Sequence, residues 1–235
     1  RNQRSHVNES TIEIVNDAGG RPGVTKNRLR AEDARRRGEL FLELPATPPS
    51  RFGAPGFLRE YGVKFAYMAG AMAKGIASEE LVVALGREGI LGTFGAGGLS
   101  IPRIEDAVVR IQRAIPDAPH AFNLLHSPRK VAIEDATVDV YLKHGVRTVE
   151  ASSYVDLTPC IVRYRVAGLS RRPDGTIASA HRIIVKLSRL ELAKTFMLPP
   201  PGRLVDALLE EGRITQEQAD LAAHLVSSWS WVGRE

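Results

Sequence analysis

From Val63 onward, short apolar runs of strand length alternate with longer stretches of helical periodicity, the pattern of repeated βα units. Five runs predict strands: VKFAY at 63–67, ILGTF at 90–94, AFNLL at 121–125, RTVEA at 147–151 and IIVKL at 183–187. The stretches between them carry helix starts. Ser78 stands as an N-cap with Glu79 and Glu80 in the first turn, and Ser100 precedes Pro102, with Glu105 and Asp106 following. Glu134 and Asp135 open a third helix that ends near Gly145, and Thr158-Pro159 opens a fourth that stops at Gly168. Strands joined by helical crossovers predict a parallel sheet, expected here to be covered on both faces.

The flanking regions read differently. Residues 1–60 are polar and rich in Arg and Gly, and the Pro and Gly punctuation of LPATPPSRFGAPG forbids long regular elements, so the expectation is an irregular lead-in with one short strand or hairpin at most. The run Arg35, Arg36, Arg37 reads as a solvated face. Pro173-Asp174-Gly175 marks a turn in a small excursion before the fifth strand. Beyond Leu187 come PPPGR, LVDALLEEG and a Thr215/Gln218 capping box, which predict a helical appendage over 190–235 ending in the aperiodic tail SSWSWVGRE. The expected organisation is thus a lead-in over 1–60, a partial βα domain over 61–189, and the appendage. Five βα units suit an open doubly wound sheet or part of a (β/α)8 barrel. A whole barrel typically takes about 250 residues, and periodicity alone leaves both architectures open.

Composition narrows the function classes. The 235 residues are 43% apolar and 25% charged, an ordinary globular balance. With 32 Lys+Arg spread against 27 Asp+Glu, the net charge of +5 argues against a dedicated nucleic-acid surface and leaves small anionic ligands open. Cys160 is the single cysteine, so there is no internal disulfide and no CxxC or Cys/His metal site, which suits a reducing cytoplasm. No apolar run approaches the roughly 18–20 residues of a membrane span, and RNQRSHVNES lacks a signal peptide's apolar region, so the expectation is a cytoplasmic protein without membrane association.

Two glycine-rich turns follow predicted strands. In Gly92-Thr-Phe-Gly95-Ala-Gly97-Gly98-Leu-Ser100, the dinucleotide fingerprint fails because Ser100 stands where a glycine is required. The turn still leads into a helix N-terminus that can face an anion or a flat ring. The other, Ala69-Gly70-Ala71-Met72 and onward to Ser78, has the small residues that let a planar ligand approach the backbone. Three polar residues interrupt strands that should be buried: Asn123, Glu150 and Lys186. Buried polar groups are costly unless paired, so polar residues at strand C-terminal ends point to the ligand face shared by both architectures. Of six histidines, only His126 in NLLHSP falls plainly on that face. No Ser-His-Asp order appears and no catalytic residue is assigned.

From Tyr61 to about Ala223 the sequence resembles the trans-acting enoyl reductase family of polyketide and polyunsaturated fatty acid synthases, relatives of nitronate monooxygenase (2-nitropropane dioxygenase). The strings that carry the resemblance are FAYMAGAMAKGIASEELVVALGREGILGTFGAGGLS, FNLLHSP, EDATVDVYLKHGVRTVEAS, TPCIVRYRVAGL, HRIIVKLSR and LLEEGRITQEQADLA. The resemblance implies a TIM (β/α)8-type barrel with FMN as cofactor and NAD(P)H as hydride donor, reducing acyl chains carried by an acyl carrier protein. It implies that Ala69, Gly70, Ala71, Met72, Gly95, Gly97 and Gly98 frame the flavin, that Asn123 and Glu150 line its edge, and that Lys186 lies near its N1–C2=O region. Family members continue with a Gly-Gly-His segment and late glycine turns for the FMN phosphate, where this chain reads AAHLVSSWSWVGRE; the expectation is a truncated barrel of about five βα units. Two alternatives stand beside the reductase: a nitronate monooxygenase-like flavin oxidase, and a non-catalytic docking piece presenting Leu204, Ala207, Leu208 and Leu221. Homo-oligomerisation is a further expectation, because a five-strand arc has open edges.

Overall fold

The computed structural model describes residues 12–16, 22–25, 28–37, 40–44, 48–187 and 189–225. The N-terminal segment RNQRSHVNES and the SSWSWVGRE tail lie outside them. The chain divides into two compact units, 1–53 and 54–235. In the first unit the strands β1 (Ile12–Asn16), β2 (Pro22–Thr25) and β3 (Leu40–Leu44) form an antiparallel sheet in the order β2-β1-β3, and the helix α1 (Arg28–Arg37) lies between β2 and β3 in the chain. One strand or hairpin was the most the sequence led us to expect there. Arg35, Arg36 and Arg37 are exposed, as a solvated charge run should be.

The second unit opens with α2 (Pro55–Tyr61) and continues as five strands: β4 (Met68–Ala69), β5 (Leu91–Phe94), β6 (His120–Leu125), β7 (Thr148–Ser152) and, later, β10 (Arg182–Val185). The crossover helices are α3 (Glu79–Arg87), α4 (Ile101–Ala114), α5 (Val131–Lys143) and α6 (Pro159–Ala167). All four neighbouring pairs are parallel, and the order β4-β5-β6-β7-β10 follows the chain without reversal. That order decides the architecture. A doubly wound sheet reverses at a switch point, whereas successive right-handed crossovers without reversal put every helix on one face and curl the sheet as a barrel arc.

Both faces are covered, as expected, but by different elements. Phe94, Phe122, Leu124, Val149, Ala151 and Ile183 face outward into the main core with α3 to α6. Their alternates Leu91, Ala121 and Ile184 face inward, where Phe57, Tyr61 and Val63 close the base of the arc. The first strand also differs from the run VKFAY. Val63 N–H is spent on Leu58 O as α2 ends at left-handed Gly62, and Lys64 N–H bonds Gly89 O. The chain cannot enter the ladder until Met68, which pairs with Leu91.

Helix starts follow the sequence closely. The Ser78 and Thr158 side chains accept from Leu81 N–H and Ile161 N–H, and Thr215 and Gln218 form a capping box. Ser100 occupies its N-cap without a side-chain bond, with Pro102 in the first turn. The excursion at Pro173-Asp174-Gly175 is a hairpin of β8 (Leu169–Arg171) and β9 (Ile177–Ser179). The appendage comprises α7 (Leu190–Met197), α8 (Gly202–Glu210) and α9 (Gln216–Ala223). Leu204, Leu208 and Leu221 are buried in the main core, so the apolar face read as a docking surface is used internally; Ala207 is exposed. Arg213 ties the appendage to α5 through Asp135 at 2.9 Å, and buried Arg163 pairs with the same carboxylate at 3.3 Å. Among the described residues no helix is long and apolar enough to cross a membrane.

Burial holds His120 and His181 below the ordinary histidine range, against the raising effect of the carbonyls of Ala118 and Tyr164 that they contact. A histidine whose folded value is depressed takes up its proton more readily when unfolded. Stability is thus full above the ordinary value of 6.5 and falls as the pH drops below it. Urea midpoints should fall between pH 7.5 and about pH 5, and the double substitution His120→Gln/His181→Gln should flatten that dependence. An unchanged slope in the variant would assign it to other groups.

Candidate active site

The C-terminal ends of the five strands meet around a carboxylate. Glu150 is fully buried on the inner face of β7. Its Oε2 accepts from Ala71 N–H at 3.0 Å, and Lys186 Nζ, just past β10, lies 2.5 Å from Oε1. That contact cancels the charge of the buried carboxylate. The Lys186 side chain is 52% exposed, which leaves its remaining N–H groups open to a ligand.

Asn123, directly opposite Glu150 across β6 and β7, donates both Nδ2 protons internally, to Glu150 O at 3.0 Å and Ser152 Oγ at 2.9 Å. Its Oδ1 remains as an acceptor towards the glycine turn. Tyr141 from α5 donates to Asn123 O at 2.7 Å and fixes the strand end from outside. Ser152 and Tyr141 were not singled out from the sequence. Ser152 had a usable signal, because it lies two residues beyond Glu150 on the same strand face.

The two glycine turns pack against each other through their backbones. Lys74 N–H bonds Gly97 O at 2.8 Å, Gly75 N–H bonds Gly95 O at 2.9 Å, and Gly95 N–H bonds Ala77 O at 3.0 Å. A Cβ on Gly95 would stand 1.7 Å from Met72 O, so only glycine permits this approach. Gly98 turns with φ +80°, a conformation that side chains resist. A Cβ on Gly70 would meet Glu150 Oε2 at 3.5 Å, and one on Gly97 would meet Asn123 Oδ1 at 3.3 Å. The structure thus gathers Ala69, Gly70, Ala71, Met72, Gly95, Gly97, Gly98, Asn123, Glu150 and Lys186 at one end of the arc. Met72 reaches the site through its backbone, and its side chain is 45% exposed.

His126, which the sequence placed on this face as a loop residue, is instead tied down. Its Nδ1–H donates to Glu134 Oε2 at 2.7 Å and its ring stacks on Tyr154. Glu134, read from sequence as a helix opener, is buried and also accepts from the Tyr154 and Thr158 hydroxyls at 2.9 and 2.8 Å. Burial, then the carboxylates of Glu134 and Asp135, push the Cys160 thiol up to about 12, so it is no nucleophile. A cleft of about 620 Å³ at the opposite end, lined by Arg59, Arg147 and Arg182 among others, opens at the strands' N-termini, away from the ligand face of parallel α/β folds.

Comparison with known proteins bears on this geometry. A polyunsaturated fatty acid synthase subunit of Thraustochytrium sp. is 51% identical over 170 residues, which make up 72% of this chain and 11% of that protein. The polyketide biosynthesis protein ThaF of Burkholderia thailandensis is 44% identical over 179 residues, covering 76% of this chain and 15% of ThaF. The crystal structure of the enoyl reductase domain of MlnA, from the macrolactin cluster of Bacillus amyloliquefaciens, superimposes with a TM-score of 0.72 at 38% identity. Over that stretch the chain is related to polyunsaturated fatty acid synthase and polyketide biosynthesis proteins and to the enoyl reductase domain of MlnA. The match covers 76% of this chain and 41% of the MlnA chain, so the chain spans well under half of each of these relatives. No protein-family model matches it. The five-stranded parallel arc lies within the stretch that superimposes on the enoyl reductase domain of MlnA.

Because Met72 O leaves no room for a Cβ, Gly95→Ala should destabilise the second unit by roughly 1–3 kcal/mol or more through forced displacement of the facing turn. Gly98→Ala should cost roughly 1–2 kcal/mol, from backbone strain alone. Urea unfolding of both variants measures this. A Gly95→Ala protein as stable as the parent would show that the turns do not pack as described.

Proposed function

We propose that this chain forms the flavin-holding half of an FMN-dependent enoyl reductase that acts on carrier-protein-bound acyl chains in a polyketide or polyunsaturated fatty acid synthase, with NAD(P)H as reductant. The observation that carries the reading is the Glu150 and Lys186 pair, set beside two small-residue turns at the C-terminal ends of parallel strands. The pyrimidine edge of a flavin presents one N–H between two carbonyls. The Asn123 carbonyl can accept that N–H, the remaining N–H groups of Lys186 can donate to a flanking carbonyl, and the turns carry small residues that let a flat ring approach. These residues fit the group.

When bound, FMN would supply the chemistry of passing a hydride from the nicotinamide to the acyl double bond. The chain's own part is electrostatic and positional. Lys186 holds positive charge where reduction builds up negative charge, and it is fixed there by a carboxylate that cannot move because Ala71 N–H and β7 hold it. Asn123, with its donors tied to Glu150 O and Ser152, is locked in one orientation and presents only its acceptor.

Lys186→Ala should weaken FMN retention or slow its reduction by roughly 2–4 kcal/mol, while the fold survives because water reaches the vacated position. Flavin absorbance after desalting, stopped-flow reduction with NADPH and circular dichroism measure the three quantities. Unchanged flavin content and reduction rate would leave Lys186 a solvated strand end. The reaction itself is tested in the full-length protein with a crotonyl-carrier substrate: NADPH oxidation should depend on the enoyl thioester. Oxidation that responds only to a nitronate and oxygen would favour a flavin oxidase.

A further inference from the structure

A cavity of about 250 Å³ lies beside the glycine turn, between the β5–α4 and β6–α5 loops, apart from the Glu150 and Lys186 pair. Its walls include Leu99, Ile104, Leu125 and Ile133. The side-chain donors in the lining away from Lys130 and Ser127 are already engaged, and the Asn123 carbonyl is left as an acceptor. Glu134 accepts from His126, Tyr154 and Thr158, Thr137 donates to Ile133 O, and Asn123 donates to Glu150 O and Ser152. A guest therefore meets a wall that is apolar in effect, since a satisfied buried polar group offers an incoming ligand little.

Polar groups at the outer end are different. Lys130 is exposed and Ser127 half-buried, and both line the cavity. The lining also carries large apolar residues exposed to water: Ile133 is 44% exposed and Leu125 36%. Apolar exposure gathered at the mouth of an apolar cavity marks a ligand site rather than a surface accident. The cavity adjoins the candidate active site, because Gly97, Gly98 and Asn123 of that site are among its lining residues.

We propose that this cavity receives the hydrocarbon chain of the acyl substrate beyond its reacting double bond, and that Ile133 and Leu125 set the chain length accepted. The inference rests on the enoyl reductase reading and names the part of the substrate that this loop pair recognises. Burial of a linear alkyl segment fits a small pocket walled largely by apolar side chains with its deeper side-chain donors already paired, whereas a charged or sugar-like group would find few partners there.

The test uses the full-length protein and two pantetheine thioesters, crotonyl and trans-2-octenoyl. Ile133→Trp, which fills the mouth, should lower kcat/KM for the octenoyl thioester by about tenfold or more, in line with the loss of several buried methylenes, and leave the crotonyl value within about twofold. Ile133→Ala should shift preference towards longer chains. A binding readout independent of turnover uses methyl-labelled protein titrated with the saturated octanoyl thioester. The Leu125 and Ile133 methyl resonances should move with octanoyl-pantetheine and not with acetyl-pantetheine. Equal effects of Ile133→Trp on both substrates, or methyl resonances that ignore chain length, would overturn the proposal. If the parent reduces neither thioester while the methyl shifts persist, the enoyl reductase reading falls and the chain-binding pocket stands.

Discussion

Glu150 is a fully buried carboxylate, and an ionised group in that position is tolerable only when its charge is cancelled and its oxygens are given partners. Here the partners come from three places in the chain. Ala71 N–H comes from the turn after β4, Lys186 from the end of β10, and the strand itself is clamped by Asn123 of β6. One unfavourable burial thus fixes the relative positions of the first, third, fourth and fifth barrel strands at the end where ligands bind. Of these partners only Lys186 is half exposed, so water can take its place, whereas the amide and the strand clamp have no such substitute.

The inner face of the arc is graded along its axis. Towards the base, Leu91, Ala121 and Ile184 pack on Phe57, Tyr61 and Val63 of the segment that opens the unit. Towards the top, the same inward positions become Asn123, Glu150, Ser152 and Lys186. Packing of the base gives the strands a fixed register, and that register carries the polar layer with it, since a slip of one residue would exchange the inner and outer faces. The top can therefore hold groups selected for chemistry, because the base and the outer helices supply the stability.

A second buried carboxylate does comparable work in the loops. Glu134 gathers His126 from the end of β6 and Tyr154 and Thr158 from the β7–α6 connection. With Tyr154 drawn inward, the preceding Ser153 adopts φ +64°, a conformation few non-glycine residues hold without compensation elsewhere. The rigidity of the neighbouring cavity wall follows from this knot, as does the loss of free donors that makes that wall apolar in effect.

Much was legible in the sequence by itself. Strands β5, β6, β7 and β10 follow from apolar runs at the right spacing, and the caps at Ser78, Thr158 and Thr215 follow from side chains that bond backbone three residues away. The polar interruptions Asn123, Glu150 and Lys186 stood out because burial of such groups is costly. These signals are short-range, so a single stretch of chain contains them. What lay beyond them depended on partners distant in sequence. The first strand begins at Met68 because Leu58 O and Gly89 O capture the N–H groups of Val63 and Lys64 before it. The crossover helices occupy one face because the strand order does not reverse, and no single βα unit encodes that order. Glu134 became a buried acceptor, and Glu150 the partner of an amide 79 residues away, only when the folded chain brought their donors within hydrogen-bonding distance. Periodicity and capping are local physics and can be read along the chain, whereas neutralising a buried charge is a constraint in space that only the tertiary structure satisfies.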